Sequence, residues 1–250
     1  MSVQGLPFWY ELATADSSTS AAFYGPVMGW HFADAGVPGF DYTIASMGTD
    51  MVAGLMAPDG GMSEVWMMYF AVDDCDATAA RARDLGGSVL QGPDDIPGTG
   101  RYAIIADPQG AVFGLMQPAD GQPGAAFDQQ AAGHANWHEL QTPDPAAALA
   151  FYTALLGWQA GTAMDMGPMG TYQMVRRGAG DIGGLMALSQ PRTPPHWLPV
   201  FGTESIAAAM ARITAQGGTP LHGPIEVPGG AFVCYAADSR GAIFALVGPP

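Results

Sequence analysis

The sequence predicts an α+β protein built from two homologous halves. Three observations predict it: a long internal repeat, strand and helix signals separated by hairpin-length gaps, and glycines placed to close the helices. Residues 8–30 return as residues 136–158 at a constant offset: Trp9, Glu11, Leu12, Thr14, Asp16, Phe23, Tyr24, Gly29 and Trp30 meet Trp137, Glu139, Leu140, Thr142, Asp144, Phe151, Tyr152, Gly157 and Trp158. The copying continues at a slightly larger offset. Gly54-Leu55-Met56 meets Gly184-Leu185-Met186, Gly86-Gly87 meets Gly217-Gly218, and Asp107, Gly110 and Phe113 meet Asp238, Gly241 and Phe244. Such a period is longer than the repeats of solenoids and propellers, and two copies cannot make an array, so it reads as domain duplication. The two domains are expected at 1–118 and 134–250. Residues 119–133, rich in Pro, Gly and Gln and without apolar periodicity, read as the linker.

The elements of the first half follow in order. Residues 9–14 alternate and carry aromatics, as a strand does. Asp16 and the serines after it cap a helix with Ala22, Phe23 and Val27 on one face; Pro26 is expected to kink it and Gly29 to end it. Residues 42–47 and 51–56, split by Gly48, read as a hairpin, and 67–72 as another strand. Asp74 caps a second helix that runs to Leu85 and closes at Gly86-Gly87. Residues 102–106 and 111–116 flank the turn Asp107-Pro108-Gln109-Gly110. Connections this short favour antiparallel neighbours and exclude a doubly wound parallel sheet.

Composition narrows the function. The formal charge is −15 and every one of the eight basic residues is arginine, so the chain is unsuited to neutralising the phosphates of a nucleic acid or a lipid surface. Without lysine, Schiff-base chemistry and Walker-type phosphate loops drop out. Cys75 and Cys234 sit one per half, which makes neither a disulfide framework nor a zinc cluster, and Asp73, Asp74 and Asp76 oppose a thiolate at Cys75. No apolar run approaches the roughly 18–20 residues of a membrane helix, and the first residues do not read as a secretory signal. The expectation is a cytoplasmic monomer or homodimer whose partner is a hydrophobic small molecule, with neither nucleic acid nor membrane involved.

The phrases FYGPVMGW and FYTALLGW, the Gly-Gly after the second helix, and the closing segments DPQGAVFGL and DSRGAIFAL resemble the vicinal oxygen chelate superfamily of glyoxalases, bleomycin-resistance proteins and extradiol dioxygenases. The resemblance spans nearly all of both halves. It implies two βαβββ modules per half, forming a curved, cup-shaped mixed sheet with helices outside, and implies little about the reaction. Metal-using members take ligands from a His or Gln seven residues before the first-strand Asp, a His opening the third-quarter strand, and a Glu seven residues after the Asp of the DPxG turn. Position by position these become Trp9, Met67 and Gly114, then Trp137, Leu198 and Ala245. None offers the carboxylate, imidazole or carbonyl side chain that a divalent ion needs, so neither a metal nor another cofactor is expected. Gly114 and Ala245 are expected to leave vacant the volume of a ligating Glu, with Trp9, Trp137 and Met67 lining a pocket for a flat or greasy ligand.

Strand alternation puts Glu11 on the face of Trp9, and Glu139 on that of Trp137. Both glutamates are therefore candidate acid–base catalysts, since a poorly solvated carboxylate is tuned toward neutral pH. The alternative is a carboxylate buried only for structure. Tyr42 and Tyr172 occupy matching positions and, with Tyr69, could orient a ligand hydroxyl or carbonyl; Met56, Met186 and Leu198 add apolar lining. His222 is a candidate for the pocket mouth and His196 a looser one. His138, on the opposite strand face, reads as a hydrogen-bonded core residue. The methionines, Met62, Met164, Met166 and Met169 among them, suit an adaptable pocket, and the loops 33–40 and 164–170 read as lids.

The expected function is metal-independent binding, with acid–base transformation of isomerase, cyclase or lyase type, of a hydrophobic or aromatic small molecule. One alternative is a protein that sequesters a metabolite or antibiotic without changing it. Another is a metal-dependent lyase or dioxygenase with displaced ligands such as Glu11 and His138, whose positions on opposite strand faces make a poor pair.

Overall fold

A computed structural model describes residues 2–37, 39–58, 64–189 and 193–250. The first half runs β1 (Pro7–Ala13), α1 (Ser17–Met28), β2 (His31–Asp34), β3 (Tyr42–Met47), β4 (Asp50–Met56), then β5 (Val65–Ala71), α2 (Cys75–Asp84), β6 (Ser88–Ile96), β7 (Gly100–Ala106) and β8 (Val112–Pro118). The second half repeats the order: β9 (Ala135–Thr142), α3 (Pro145–Leu156), β10 (Gln159–Asp165), β11 (Thr171–Arg177), β12 (Gly180–Ala187), β13 (His196–Gly202), α4 (Ile206–Ala215), β14 (Thr219–Glu226), β15 (Phe232–Ala237) and β16 (Ile243–Gly248). This is the α+β arrangement of βαβββ modules, two per half.

Local chemistry places the helix ends. Asp16, Asp74 and Asp144 each accept a backbone N–H of the first turn, and Ser205 does so for α4. Gly29 and Gly157 take the left-handed conformation that closes α1 and α3, a region that side-chain-bearing residues rarely adopt. Pro26 sits inside α1, as the sequence predicts.

The strands form two eight-stranded mixed sheets, ordered β2-β3-β4-β1-β5-β8-β7-β6 and β10-β11-β12-β9-β13-β16-β15-β14. The last three strands of each module are antiparallel hairpins, whereas its first and last strands are parallel because the helix intervenes. The parallel register sets Glu11 opposite Gly54, Tyr69 opposite Gly114, Glu139 opposite Gly184, and Val200 opposite Ala245. Reading the first half in order placed no strand at β2 or β6, although the βαβββ resemblance requires one at each; both are sheet edges, largely exposed and without an apolar face to announce them.

The chain gathers into two compact units, each taking one module from each half. One holds residues 1–8, 68–124 and 138–197; the other holds 9–67, 125–137 and 198–250. Within the first, Trp197 Nε1 donates to the Tyr152 hydroxyl at 2.9 Å, and that hydroxyl donates to Asp107 at 3.1 Å. Asp107 also accepts the N–H groups of Gln109 and Ala111, so the DPQG turn of one half is tied to the first helix of the other. In the second unit Trp66 Nε1 donates to Tyr24 at 2.9 Å, and burial, helped by the Asp238 charge, pushes the Tyr24 hydroxyl pKa well above its usual range. Asp238 in turn accepts the N–H groups of Arg240 and Ala242.

His138 is a buried core residue whose Nδ1 donates to the Ile182 carbonyl and whose ring meets Phe70 edge-on at 6.2 Å. Burial pushes its pKa down to about 4 from 6.5, the carbonyl bond opposing. The unfolded chain therefore takes up a proton near pH 6.5 that the folded protein refuses until near pH 4. Stability should fall as pH drops through that window, by about 3 kcal/mol in all. His138→Tyr, the residue found at the matching Tyr10, is expected to remove this part of the acid sensitivity, as urea unfolding at pH 7 and pH 5 would show.

Candidate functional site: two tyrosine–glutamate pairs

On β1, Tyr10 and Leu12 are fully buried, and the alternate residues Trp9 and Glu11 face the other way. Trp9 Nε1 donates to the Tyr42 hydroxyl at 2.8 Å, and Tyr42 donates to Glu11 Oε2 at 2.8 Å. Because the indole N–H can only donate, the Tyr42 proton must point at Glu11. Glu11 is 7% exposed. Burial first and the Glu11 charge second push the Tyr42 pKa well above its usual range, with the Trp9 bond opposing, so Tyr42 stays a donor at all ordinary pH. Gly54, opposite Glu11, makes this possible: a Cβ there would run into the Tyr42 hydroxyl. Phe40 stacks on Tyr42 at 5.9 Å with an interplanar angle of 18°, and is 43% exposed. The result is an aromatic platform ending in a buried carboxylate.

The placement of glutamate, opposing glycine and overlying tyrosine recurs in the other unit. Glu139 is buried opposite Gly184, and a Cβ at 184 would run into the Tyr172 ring. Here a further group joins: Gln141 Nε2 donates to Glu139 Oε1 at 3.0 Å, and Gln141 Oε1 accepts from Ser189 at 3.4 Å. Met56 lies opposite Tyr42, and Met186 opposite Gln141. Met67 is half-buried on β5.

The expected vacancies at Gly114 and Ala245 are corrected. The Tyr69 ring, from the register partner on the adjacent parallel strand, lies where a Cβ of residue 114 would be. Ala245 is sealed in an apolar cluster with Leu198, Val200 and Val233, against which Trp137 and Tyr235 pack. Sequence reading subtracted the volume of a glutamate without adding the neighbour that leans into it. His222 lies exposed on β14, stacked over Tyr235 at 6.3 Å, and His196 Nδ1 donates to the Pro194 carbonyl at 2.9 Å. The segments read as lids are partly strand, since Ala33 and Asp34 belong to β2, and Met164 and Asp165 to β10. Residues 167–169 make a short 3₁₀ turn; Met62 and Pro38 lie outside the described residues. Sequence reading missed Phe40, Gln141 and the tyrosine-bearing role of Gly54 and Gly184. The one available signal was the break in the repeat where Ala13 answers to Gln141.

A family model described as the Glyoxalase/Bleomycin resistance protein/Dioxygenase superfamily matches residues 7–115 and 132–246. The chain belongs to this superfamily. This superfamily member is 34% identical over 253 residues to CFP32 of Mycobacterium tuberculosis, provisionally named a glyoxylase, covering 98% of this chain and 95% of that protein. It is 32% identical over 268 residues to the anthracycline biosynthesis protein DnrV of Streptomyces peucetius, covering 97% and 93%. Among solved structures, the Mn(II)-bound glyoxalase from Novosphingobium aromaticivorans superposes with a TM-score of 0.70 at 19% identity, over 99% of this chain and 83% of that one. Homoprotocatechuate 2,3-dioxygenase from Brevibacterium fuscum, in complex with 3,4-dihydroxyphenylacetate, gives 0.70 at 17% identity, over 98% and 81%. At these identities the structural likeness speaks for the fold alone.

The superfamily's divalent ion does not fit its usual positions in this member. Indole, thioether, glycine, leucine and alanine supply no hard donor, Tyr69 covers Gly114, and the apolar cluster covers Ala245. Among the described residues no group of three or more His, Cys, Asp or Glu side chains is gathered as a metal site elsewhere.

Proposed function

We propose that this superfamily member binds a flat, hydroxylated aromatic or polyketide-like molecule and transforms it by proton transfer, without the superfamily's metal, using the carboxylates of Glu11 and Glu139. The observation that carries this reading is the Trp9–Tyr42–Glu11 chain beside the exposed ring of Phe40. A stacked aromatic pair suits a planar ligand. A buried carboxylate with a fixed hydroxyl donor can take a proton from an acidic O–H, or from a C–H next to a carbonyl, and return it to another atom of the same molecule. Nothing else is consumed, so isomerisation, ring closure or elimination fits. The relatives named for anthracycline biosynthesis support a ligand of this class.

Quenching of tryptophan fluorescence by alizarin, a dihydroxyanthraquinone, tests the reading. Saturable quenching is expected, and Phe40→Ala should weaken binding by about 2–10-fold, the worth of one aromatic contact. Absence of saturable quenching would overturn the ligand class. The exposed ring of Phe40 over Tyr42 serves a second reading as well, sequestration, in which the ligand is recovered unchanged after long incubation.

A further inference from the structure

We infer that Gln141 is a further catalytic residue: its amide holds the carbonyl oxygen of a ketone while Glu139 takes a proton from the neighbouring carbon. This rests on the proton-transfer reading above and names the part of the ligand that reacts at Glu139. Glu139 and Gln141 stand two residues apart on β9, so both side chains leave the same face of the strand. Gln141 Nε2 donates to Glu139 Oε1 at 3.0 Å. An ionised carboxylate only accepts, so the amide must turn its nitrogen to Glu139, while its oxygen accepts from the Ser189 hydroxyl at 3.4 Å. That nitrogen carries two hydrogens. One goes to Glu139, and the other has no acceptor among the described residues.

An acceptor and a donor fixed side by side match a C–H next to a carbonyl. The carbon and oxygen of that group are about 2.4 Å apart by standard bond lengths, so Glu139 and Gln141, 3.0 Å apart, can reach both at once. The step balances within the ligand. The C–H bond breaks, its proton goes to the Glu139 carboxylate, and the electron pair moves onto the carbonyl oxygen, where the amide hydrogen meets the charge. Return of the proton to that oxygen or to another carbon completes an isomerisation. Gln141 and its register partner Met186 are half-buried and Glu139 is buried, so a ligand meets the amide and an apolar thioether before the carboxylate.

Deuterium uptake at C1 of 2-tetralone, a bicyclic ketone whose C1–H lies between the carbonyl and an aromatic ring, tests this by proton NMR in D₂O. The chain has no lysine, so no side-chain amine can exchange these protons through an imine. The native protein should speed uptake saturably. Glu139→Gln and Gln141→Leu should lower it to the same level, since loss of an oxyanion donor costs about 10²–10³-fold in the rate it supports, and the double variant should fall no further. Saturation-transfer NMR should show the ketone still bound to all three. Ser189→Ala, at an exposed residue, frees the amide to turn and should lower uptake part-way; it stands in if Gln141→Leu fails to fold. Uptake that needs Glu139 but survives Gln141→Leu, or binding lost together with uptake in folded Gln141→Leu, would overturn the role of Gln141 and leave the proton-transfer reading standing. Uptake indifferent to both single variants would overturn that role and the part of Glu139 in the reading. Ketone that binds the native protein without faster uptake would overturn the reading and the inference together, and ketone that fails to bind where alizarin does would overturn the inference alone.

Discussion

Trp158→Ala is expected to destabilise the protein by about 3–5 kcal/mol, the cost of truncating a buried tryptophan. Trp158 is 1% exposed, stacks on Tyr152 at 5.3 Å, and meets Phe70 and Trp197 edge-on at 4.9 and 5.8 Å. Its Nε1 donates to the Gly5 carbonyl at 2.8 Å, so truncation also strips a buried acceptor of its partner. Against a typical stability of about 5–15 kcal/mol, such a loss should leave much of the chain unfolded at modest temperature. Trp158→Phe keeps most ring contacts and drops the hydrogen bond, so it should cost less than half as much. Urea unfolding of both variants measures the difference. Trp30 is the counterpart in the other unit, bonded to the Gly133 carbonyl at 2.7 Å and stacked on Tyr24 at 5.8 Å. Its truncation should cost a similar amount; a loss below about 1 kcal/mol at either site would mean that the aromatic clusters are not what holds the modules together.

These tryptophans show what the sequence makes legible and what it does not. Trp30 and Trp158 end the repeated helix phrase; the repeat revealed two homologous halves, local spacing marked the caps at Asp16 and Asp74, and the resemblance to the superfamily implied two βαβββ modules in each half. The grouping of one module from each half into each unit is not written in local spacing, because Tyr152 finds Asp107 and Tyr24 lies against Asp238 through space, across long stretches of chain. The site divides in the same way. Strand alternation put Trp9 and Glu11 on one face. Nothing in the spacing said that Tyr42 would bridge them across Gly54, or that Tyr69 would fill the space beside Gly114. A missing side chain signals room only when its cross-strand partner is known.

The larger functional effect is expected at Glu11. Glutamine is nearly isosteric, and its amide oxygen can still accept from Tyr42, so Glu11→Gln should preserve the Trp9–Tyr42 arrangement and remove only the proton acceptor. Losing a positioned general base typically costs about 10²–10⁴-fold in turnover. A carboxylate with a purely structural role would give the opposite pattern: a less stable protein whose remaining folded fraction turns over normally.

The decisive measurement is steady-state turnover of the compound that co-purifies with the native protein. It should be followed in parallel for the native protein, for the native protein freed of divalent ions by a chelator, and for Glu11→Gln. The prediction is unchanged turnover after chelation, and in Glu11→Gln a fall of about 10²–10⁴-fold with binding of the compound retained. Turnover that disappears with the chelator, returns with Mn(II) or Fe(II), and is indifferent to Glu11→Gln would contradict the account.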